Sequence, residues 1–295
     1  MAGGNGLRSG GQILVDQLRI HEVDTIFCVP GESYLTVIDA LHDAQNEIKT
    51  VACRQEGGAT NMAEAYGKLT GKPGVAMVTR GPGACNGSIG VHTAMQDSTP
   101  MVIFIGQVAR DQEYREAFQE VDYHQFYGAI CKEVVQIDHA ERVPELVSQA
   151  FHIAASGRPG PVAVSIPEDM QRDMADVADA RSFTTVRSEV GPKAMADFRA
   201  QLANSERPLM ILGGAGWSEK ACTDIQAFSE ANGVPVAASF RCQDLFDNMH
   251  VNYAGELGTS ASPQLGERLR ASDLLIVLGS RLGEMTTNGY SLVSL

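Results

Sequence analysis

The chain has 295 residues, which exceeds one average domain and predicts two. With 44% hydrophobic and 20% charged residues, its composition is that of an ordinary globular protein and not of a disordered or fibrous one. The formal net charge of −13 makes the surface broadly negative, which argues against nucleic-acid binding because phosphates would be repelled. No apolar stretch approaches the ~20 residues that cross a bilayer, so no membrane span is predicted.

The N-terminal segment and the cysteines bear on where the protein works. Residues 1–11 are Gly-rich and polar without an apolar core, which predicts a flexible lead-in and not a signal peptide. The six cysteines are widely spaced and form no CxxC pair, which argues against a zinc site and against a disulfide framework. We therefore expect reduced cysteines and a cytoplasmic protein.

From Gln12 onward, helical and strand patterns alternate with turn signals between them. This alternation is typical of a parallel sheet flanked by helices, so an α/β domain is predicted over residues 12–170. The apolar residues that approximate the first helical face are Ile13, Leu14, Leu18 and Ile20. The elements predicted after it are, in order, a strand over 25–29, a helix over 34–41, a strand over 48–53, a helix over 58–69, a strand over 75–79, a helix over 88–95, a strand over 101–106, and, after a polar stretch, a helix over 142–155 and a strand over 161–166.

A break in this alternation predicts the end of the first domain. The sequence after residue 167 is acidic and rich in Ser and Thr, with no sustained periodicity, so a linker is placed over 171–192. The α/β pattern then resumes with a strand over 208–212, a helix over 220–231, and strands over 234–238 and 273–278. We predict a second, Rossmann-like α/β domain over 193–295, which we expect to be truncated because no closing helix follows the last strand.

The segment Arg54-Gln55-Glu56-Gly57-Gly58-Ala59 places a carboxylate where a buried strand ends and a helix of small residues begins. A carboxylate in such a place is a candidate for acid–base chemistry. The alternative is a capping role, because negative charge is favoured at a helix N-terminus. Taken alone, this segment favours capping.

The segment Thr79-Arg80-Gly81-Pro82-Gly83-Ala84-Cys85-Asn86 also joins a strand to a helix, where parallel sheets gather their ligands. Its glycines would let a ligand approach the backbone. A tight turn is the simpler interpretation. A phosphate-binding loop is a third interpretation, but the Lys-Ser/Thr ending of such loops is missing.

Five segments taken in order resemble one family. They are Val29-Pro30-Gly31-Glu32-Ser33, Arg54-Gln55-Glu56-Gly57-Gly58-Ala59, Gly81-Pro82-Gly83-Ala84-Cys85-Asn86, Asp97-Ser98-Thr99-Pro100 followed by Gly106-Gln107-Val108, and Ala117-Phe118-Gln119-Glu120. Together they are similar to the pyrimidine-binding domain of thiamine-diphosphate enzymes, in the branch of acetolactate synthase, pyruvate oxidase and related decarboxylases. Gly213-Gly214-Ala215-Gly216 and residues 273–281 extend the resemblance to the central domain of that branch.

The resemblance implies a cofactor and a set of site residues. In the family, the glutamate matching Glu56 hydrogen-bonds N1′ of the aminopyrimidine ring and makes thiamine diphosphate reactive toward a 2-oxo acid. Glu56 is therefore implied to be catalytic. The other implied cofactor contacts are Pro30, Gly31, Gly81, Pro82, Gly83 and Asn86, and the implied substrate-pocket residues are Glu32, Ser33, Phe118, Gln119 and Lys132.

One residue departs from the usual pattern of the branch. Many members have Pro-Gly-Gly where this chain has Pro30-Gly31-Glu32. In the related decarboxylases this position holds a polar or acidic group near the thiazolium ring, which implies that Glu32 helps to protonate or position the reacting group. The alternative is that Glu32 only caps the following helix. The departure leaves the acceptor open, and with it carboligation itself.

Parts of the family's active site are not found in this sequence. Members hold the diphosphate through Mg²⁺ in a C-terminal domain whose Gly-Asp-Gly motif is missing here, so we expect no metal ligands in this chain and no activity from it alone. The family's site forms between subunits, which implies a homodimer or homotetramer. Some members also bind FAD in the central domain, which would involve Gly213, Gly214, Gly216 and Arg281, although a glycine turn is kept there without flavin as well.

The sequence therefore predicts part of an acetolactate synthase-like enzyme that decarboxylates a pyruvate-like 2-oxo acid and transfers the resulting acyl unit. A decarboxylase or oxidase of the same family is an alternative within the enzymes. A non-catalytic nucleotide-binding module is an alternative of another class. Glu56 inside the five-segment pattern argues against the module, because mere binding has no chemical need for this carboxylate.

Overall fold

The computed structural model describes residues 6–186 and 188–293. The chain divides after residue 187 into two compact units, and each is built on a parallel sheet of its own. The strands of the first unit are β1 (Arg8–Ser9), β2 (Thr25–Cys28), β3 (Lys49–Ala52), β4 (Gly74–Val78), β5 (Met101–Gln107), β6 (Glu133–Gln136), β7 (Pro161–Pro167) and β8 (Met174–Ala175). Its helices are α1 (Gly10–Ile20), α2 (Leu35–Asp43), α3 (Glu56–Thr70), α4 (Pro82–Asp97), α5 (Tyr123–Tyr127) and α6 (Val143–Ala155).

Strands β2 to β7 form one six-stranded sheet in the order β3-β2-β4-β5-β7-β6, with every neighbouring pair parallel. The predicted parallel sheet flanked by helices is thereby confirmed. Strands β4, β5 and β7 are buried along their whole length, as parallel strands covered on both faces must be. One hydrophobic core contains residues of α1, α2 and α6, and a second contains residues of α3, α4 and α5.

The strand order of this sheet reverses at β2. The chain first moves outward from β2 to β3, and it then returns to place β4 on the other side of β2. The loops after β2 and β4 therefore leave neighbouring strands at the carboxyl edge of the sheet. In open α/β sheets such a reversal is where ligands bind.

The segment expected to be a flexible lead-in is ordered from residue 8 onward. Strand β1 pairs with β8, and Ser9 begins α1 with a reciprocal capping arrangement in which its hydroxyl accepts from Gln12 N and its own N–H donates to the Gln12 side chain. The glycines suggested flexibility, but Gly10 and Gly11 serve close packing. A Cβ at Gly10 would lie 2.6 Å from the carbonyl oxygen of Met170.

Much of the segment expected to be a linker packs on the first unit. Gln17 of α1 is fully buried, and its amide donates to the Asp179 carboxylate at 2.8 Å and accepts from the Ala180 N–H at 3.2 Å. These contacts lie within residues 171–186, where the sequence shows no periodicity. The order of this segment comes from tertiary contacts, which local patterns do not reveal.

The second unit has strands β9 (Pro208–Leu212), β10 (Val236–Ser239), β11 (Tyr253–Leu257) and β12 (Leu274–Leu278), and helices α7 (Pro192–Asn204), α8 (Glu219–Asn232) and α9 (Pro263–Ala271). Its sheet has the order β11-β10-β9-β12, and all neighbours are parallel. This confirms the predicted second α/β sheet, although β11, α7 and α9 were not predicted. In the part of the chain that the structure describes, no helix is both long and apolar enough to span a membrane.

His21 follows α1 and is buried, with neither ring nitrogen hydrogen-bonded. Its ring stacks on Phe151 at a centroid distance of 4.8 Å and lies 5.7 Å from the ring of Phe183. Burial lowers the pKa of His21, because an imidazolium would lose its hydration there. The neutral ring therefore behaves as an apolar residue that joins α1, α6 and the segment after β8.

This burial predicts a loss of stability in mild acid. Since the pKa of His21 is lower in the folded than in the unfolded chain, the unfolded chain takes up the proton first as the pH falls below about 6.5. Thermal unfolding between pH 7.5 and 5.5 should show a smaller loss of stability for His21→Leu than for the wild type. His42→Leu, at an exposed position, should lose as much stability over this pH range as the wild type does. Equal losses in the wild type and His21→Leu would contradict a neutral, buried His21.

Candidate active site

Glu56 is the first residue of α3, directly after the carboxyl end of β3, and it is partly buried. The side chain that caps α3 is that of Gln55, whose oxygen accepts from Gly58 N at 2.9 Å. The carboxylate of Glu56 instead accepts a hydrogen bond from the side-chain amide of Asn86, with Nδ2 and Oε2 3.0 Å apart. The capping hydrogen bond is thus made by Gln55, while Glu56 is the acidic residue of the first turn, and its carboxylate is held toward α4.

The glycine segment forms the first turn of α4, which begins at Pro82 and not at residue 88 as the sequence pattern suggested. This geometry brings Asn86 beside Glu56 and places Gly83 next to it. A Cβ at Gly83 would lie 2.8 Å from Thr79 Cγ2 and 3.5 Å from Glu56 Oε1. Gly83 is thus buried against Thr79, and its Cα side lies next to the Glu56 carboxylate.

The turn after β2 is locked to the loop after β4 through Thr79. A Cβ at Gly31 would lie 2.4 Å from Thr79 Cβ, so only glycine permits this approach. The Ser33 hydroxyl lies 2.8 Å from Thr79 Oγ1, and it accepts from Arg80 N at 3.2 Å. Because Ser33 is fully buried, its predicted place in an open substrate pocket is wrong, and its hydroxyl joins the two loops instead.

The chain between β5 and α5 returns to the same edge of the sheet. Gly81, with φ +55°, donates its N–H to the Tyr123 hydroxyl at 3.0 Å, and a Cβ on it would lie 2.7 Å from the carbonyl oxygen of Gln119. Phe118, next to Gln119, is 73% exposed. The structure thus brings Phe118 and Gln119 to the glycine segment, while Pro30 and Pro82 are exposed on the two loops beside it.

Arg80 is a residue at this edge to which the sequence patterns assign no role. It is buried, and its Nη2 donates to the exposed Glu32 carboxylate at 3.0 Å. The alternative interpretation of Glu32 as a helix cap is wrong, because neither the 3-10 turn at residues 32–34 nor α2 has a side-chain cap. The sequence did contain a signal, since a single cation lies two residues after the apolar strand β4 and directly before Gly81.

Lys132 does not belong to this group of residues, which corrects its assignment to the substrate pocket. It directly precedes β6, at the amino edge of the parallel sheet, opposite the edge that carries Glu56. Its ammonium donates to the carbonyl oxygens of Ile153 and Ser156 at the end of α6. Burial, and then the nearby Arg158, lower the pKa of Lys132. It satisfies the last carbonyls of a helix, as cations near helix C-termini commonly do.

The glycine turn of the second unit follows β9, beside the first residues after β12. A Cβ at Gly213 would lie 2.0 Å from Ser239 Oγ, and one at Gly214 would lie 2.0 Å from the carbonyl oxygen of Gly279. These two glycines are explained by close packing within the unit. Gly216, with φ +85°, has no atom within 4 Å of an added Cβ and faces open space.

Among residues 6–186 and 188–293, no group of three or more His, Cys, Asp or Glu side chains is arranged to hold a metal ion.

Comparison with known proteins identifies two domains of one family. Residues 8–126 match the model described as thiamine pyrophosphate enzyme, N-terminal TPP binding domain, and residues 195–294 match the model described as thiamine pyrophosphate enzyme, central domain. The chain is 35% identical over 287 residues to the acetolactate synthase large subunit of Parasynechococcus marenigrum (strain WH8102), with 95% of this chain and 46% of that protein covered. It is 34% identical over 281 residues to the acetolactate synthase isozyme 2 large subunit of Escherichia coli (strain K12). That match covers 95% of this chain and 50% of the relative. The chain thus spans about half the length of these curated relatives.

The contact at Gly31 predicts a matched pair of stability effects. Gly31→Ala forces a methyl group against Thr79 and should lower the free energy of unfolding of the chain by about 1–3 kcal/mol. Gly58→Ala, where an added Cβ meets no atom within 4 Å, should raise it by about 0.5–1 kcal/mol. Urea unfolding monitored by circular dichroism measures both values. A Gly31→Ala variant as stable as the wild type would contradict the close approach of the two loops.

Proposed function

Because the chain belongs to the thiamine pyrophosphate enzyme family, we propose that it supplies Glu56 as the cofactor-activating residue of an acetolactate synthase-like enzyme. The whole enzyme decarboxylates a pyruvate-like 2-oxo acid and transfers the acyl unit that results. The observation that carries this proposal is the Glu56 carboxylate, held by Asn86 beside the reversal of strand order.

The site fits the aminopyrimidine ring of thiamine diphosphate. A ring nitrogen that exchanges a proton needs a carboxyl group within hydrogen-bonding distance. Asn86 holds Oε2 of Glu56, and Gly83 places no side chain next to Oε1. Glu56 would hold the shared proton at N1′, and the glycine segment would admit the flat ring. The bound cofactor supplies the electron sink for loss of carbon dioxide from the substrate.

The remaining contacts follow from the loops around Glu56. Pro30, Gly31, Gly81 and Pro82 would shape the walls of the ring site. Exposed Phe118, together with Gln119 and Glu32, would face the substrate. By resemblance, the diphosphate and its Mg²⁺ bind a C-terminal domain that follows the central domain in family members, and relatives twice the length of this chain have room for such a domain.

A simple decarboxylase is the second candidate. The exposed carboxylate of Glu32 favours it, because an acidic group in the pocket can deliver a proton to the reacting carbon in place of an acceptor. Product analysis separates the two candidates, since a carboligase yields an acetohydroxy acid from pyruvate and a decarboxylase yields acetaldehyde.

A flavin is the second cofactor that the resemblance raises. The turn after β9 lies where the order of the second sheet reverses, which supports a nucleotide site at that edge. Gly213 and Gly214 are already explained by packing. We therefore assign any flavin contact to Gly216, which has open space, and to exposed Arg281 after β12. The visible absorbance of the purified full-length protein tests this assignment.

The compartment is inferred from the cysteines. All six are free thiols, and three of them are partly buried. Free thiols persist where the surroundings are reducing, which supports the cytoplasm as the place of action.

A further part of the proposal is that the site is completed by a second copy of the protein, as a homodimer or as half of a homotetramer. The two helices that carry Glu56 and Asn86 expose Met62 on α3 and Ile89 on α4, which are 45% and 61% exposed, and Ile89 lies beside Gly57. Large apolar side chains exposed together on neighbouring helices are typical of an interface. Ile89 packs at Gly57, the residue after Glu56, so an interface at Ile89 would lie close to the carboxylate, as a shared active site requires.

Self-association should therefore fail when this face is charged. Ile89→Asp should weaken dimerisation by about 2 kcal/mol or more, because a carboxylate would be buried without a partner. Sedimentation velocity of the full-length protein gives the mass. Met249→Asp, at a site 91% exposed in the second unit, is the control. An unchanged dimer in Ile89→Asp would exclude this face as the interface.

The catalytic role of Glu56 predicts a large effect of a small change. In the full-length protein, supplied with Mg²⁺ and thiamine diphosphate, Glu56→Gln should lower carbon dioxide release from pyruvate about 10²–10⁴-fold, because the amide cannot share the proton. Glu64→Gln is the matched control on the same helix, since its side chain only accepts from the Thr99 hydroxyl and Gln can do the same. Near-normal turnover in Glu56→Gln would end the assignment.

A further inference from the structure

Arg80 connects four separate parts of the chain at the carboxyl edge of the first sheet. Its side chain is only 11% exposed. Nη2 donates to Glu32 Oε1 at 3.0 Å, Nη1 to Glu168 Oε2 at 3.3 Å, and Nε to the carbonyl oxygen of Phe118 at 3.2 Å. Its own N–H donates to Ser33. The loops after β2, β4, β5 and β7 therefore meet at one guanidinium group.

The loop that carries Phe118 needs such support. Three residues in it that are not glycine have a left-handed backbone: Tyr114 with φ +61°, Glu116 with φ +56° and Gln119 with φ +65°. Side chains disfavour this conformation, so it persists only where surrounding contacts impose it. The Glu120 carboxylate accepts from two backbone N–H groups within the loop, and Arg80 is the contact from outside that holds the Phe118 carbonyl.

The charges at this point determine which group faces the solvent. One guanidinium group forms ion pairs with two carboxylates, those of Glu32 and Glu168, which balance its charge. The Glu168 side chain is 32% exposed, whereas that of Glu32 is 63% exposed. Arg80 thus lies beneath the surface, and the carboxylate that it presents outward is that of Glu32.

We propose that Arg80 is a positioning residue, which fixes the Glu32 carboxylate and the Phe118–Gln119 backbone at the edge where Glu56 lies. This inference rests on the proposed function in one respect, namely that Glu32 and Phe118 face the substrate. The Nε, Nη1 and Nη2 atoms of Arg80 donate to protein groups, so it would act through them. Arginine suits the role because its planar fork donates in three directions at once, whereas a lysine ammonium is a point charge on a flexible stem.

Arg8 provides a matched control in the same unit. Its side chain is 14% exposed and likewise bridges two carboxylates, those of Asp16 and Asp179, while donating to the Val177 carbonyl oxygen. It joins β1 to α1 and the segment after β8. Replacing it should perturb the fold to a similar degree, but away from the loop that carries Phe118.

The first experiment is hydrogen–deuterium exchange on the chain, which needs no cofactor. In Arg80→Met, amides around Phe118 and Gln119 within residues 113–121 should exchange at least about tenfold faster than in the wild type, because the Phe118 carbonyl loses its hydrogen bond to Arg80. In Arg80→Lys, the same amides should exchange at rates between those of the wild type and those of Arg80→Met. Arg8→Met should leave this loop unchanged and speed exchange near residues 177–180. Unchanged exchange of 113–121 in Arg80→Met, or the same increase in Arg8→Met, would overturn the proposal.

The second experiment uses the full-length protein. Arg80→Met should lower kcat/KM for the 2-oxo acid about 10²-fold, with partial rescue by Arg80→Lys, because displacement of a pocket group by about 1 Å has such an effect. The affinity for thiamine diphosphate, measured by calorimetry, should stay unchanged, because the contacts of Glu56 are intact. An equal loss of cofactor affinity would mean a merely structural role. If Arg80→Met alters exchange but the wild type does not act on 2-oxo acids, the proposed function fails and the positioning role stands.

Discussion

The close approach of two loops at Thr79 is the constraint on which the rest of the site depends. The reversal of strand order brings the turn after β2 beside the loop after β4, and Gly31 allows them to touch. Once these loops are joined, α4 begins at Pro82, and its first turn carries Asn86 to Glu56. A larger residue at position 31 would separate the loops and displace the amide from the carboxylate.

The strands and glycine segments that the sequence predicted are those whose causes are local. Long apolar runs specify β4, β5 and β7, and strand–glycine–helix junctions specify the edge that carries Glu56. The resemblance added the cofactor, which no local pattern of charge or periodicity contains. The predicted start of α4 was less accurate. Pro82 and the glycines near it resemble a loop in sequence, although α4 begins at Pro82.

Predictions failed where partners lie far away in sequence. Ser33 and Lys132 were assigned to the pocket from their place in the chain, yet one is fully buried between two loops and the other satisfies carbonyls at the opposite edge of the sheet. Arg80 was overlooked for the same reason, since Glu168 lies 88 positions away. Likewise, the order of the segment after β8 depends on the buried Gln17, which no periodicity marks.

The central claim is that Glu56 activates thiamine diphosphate, and exchange of the cofactor's C2 proton with solvent deuterium tests it most directly. The measurement is made by NMR on the full-length protein with bound cofactor and without substrate, which separates activation from every later step. The account predicts exchange far faster than in the free cofactor for the wild type, and loss of most of this acceleration in Glu56→Gln. Equal exchange rates in the two proteins, with cofactor bound to both, would contradict it.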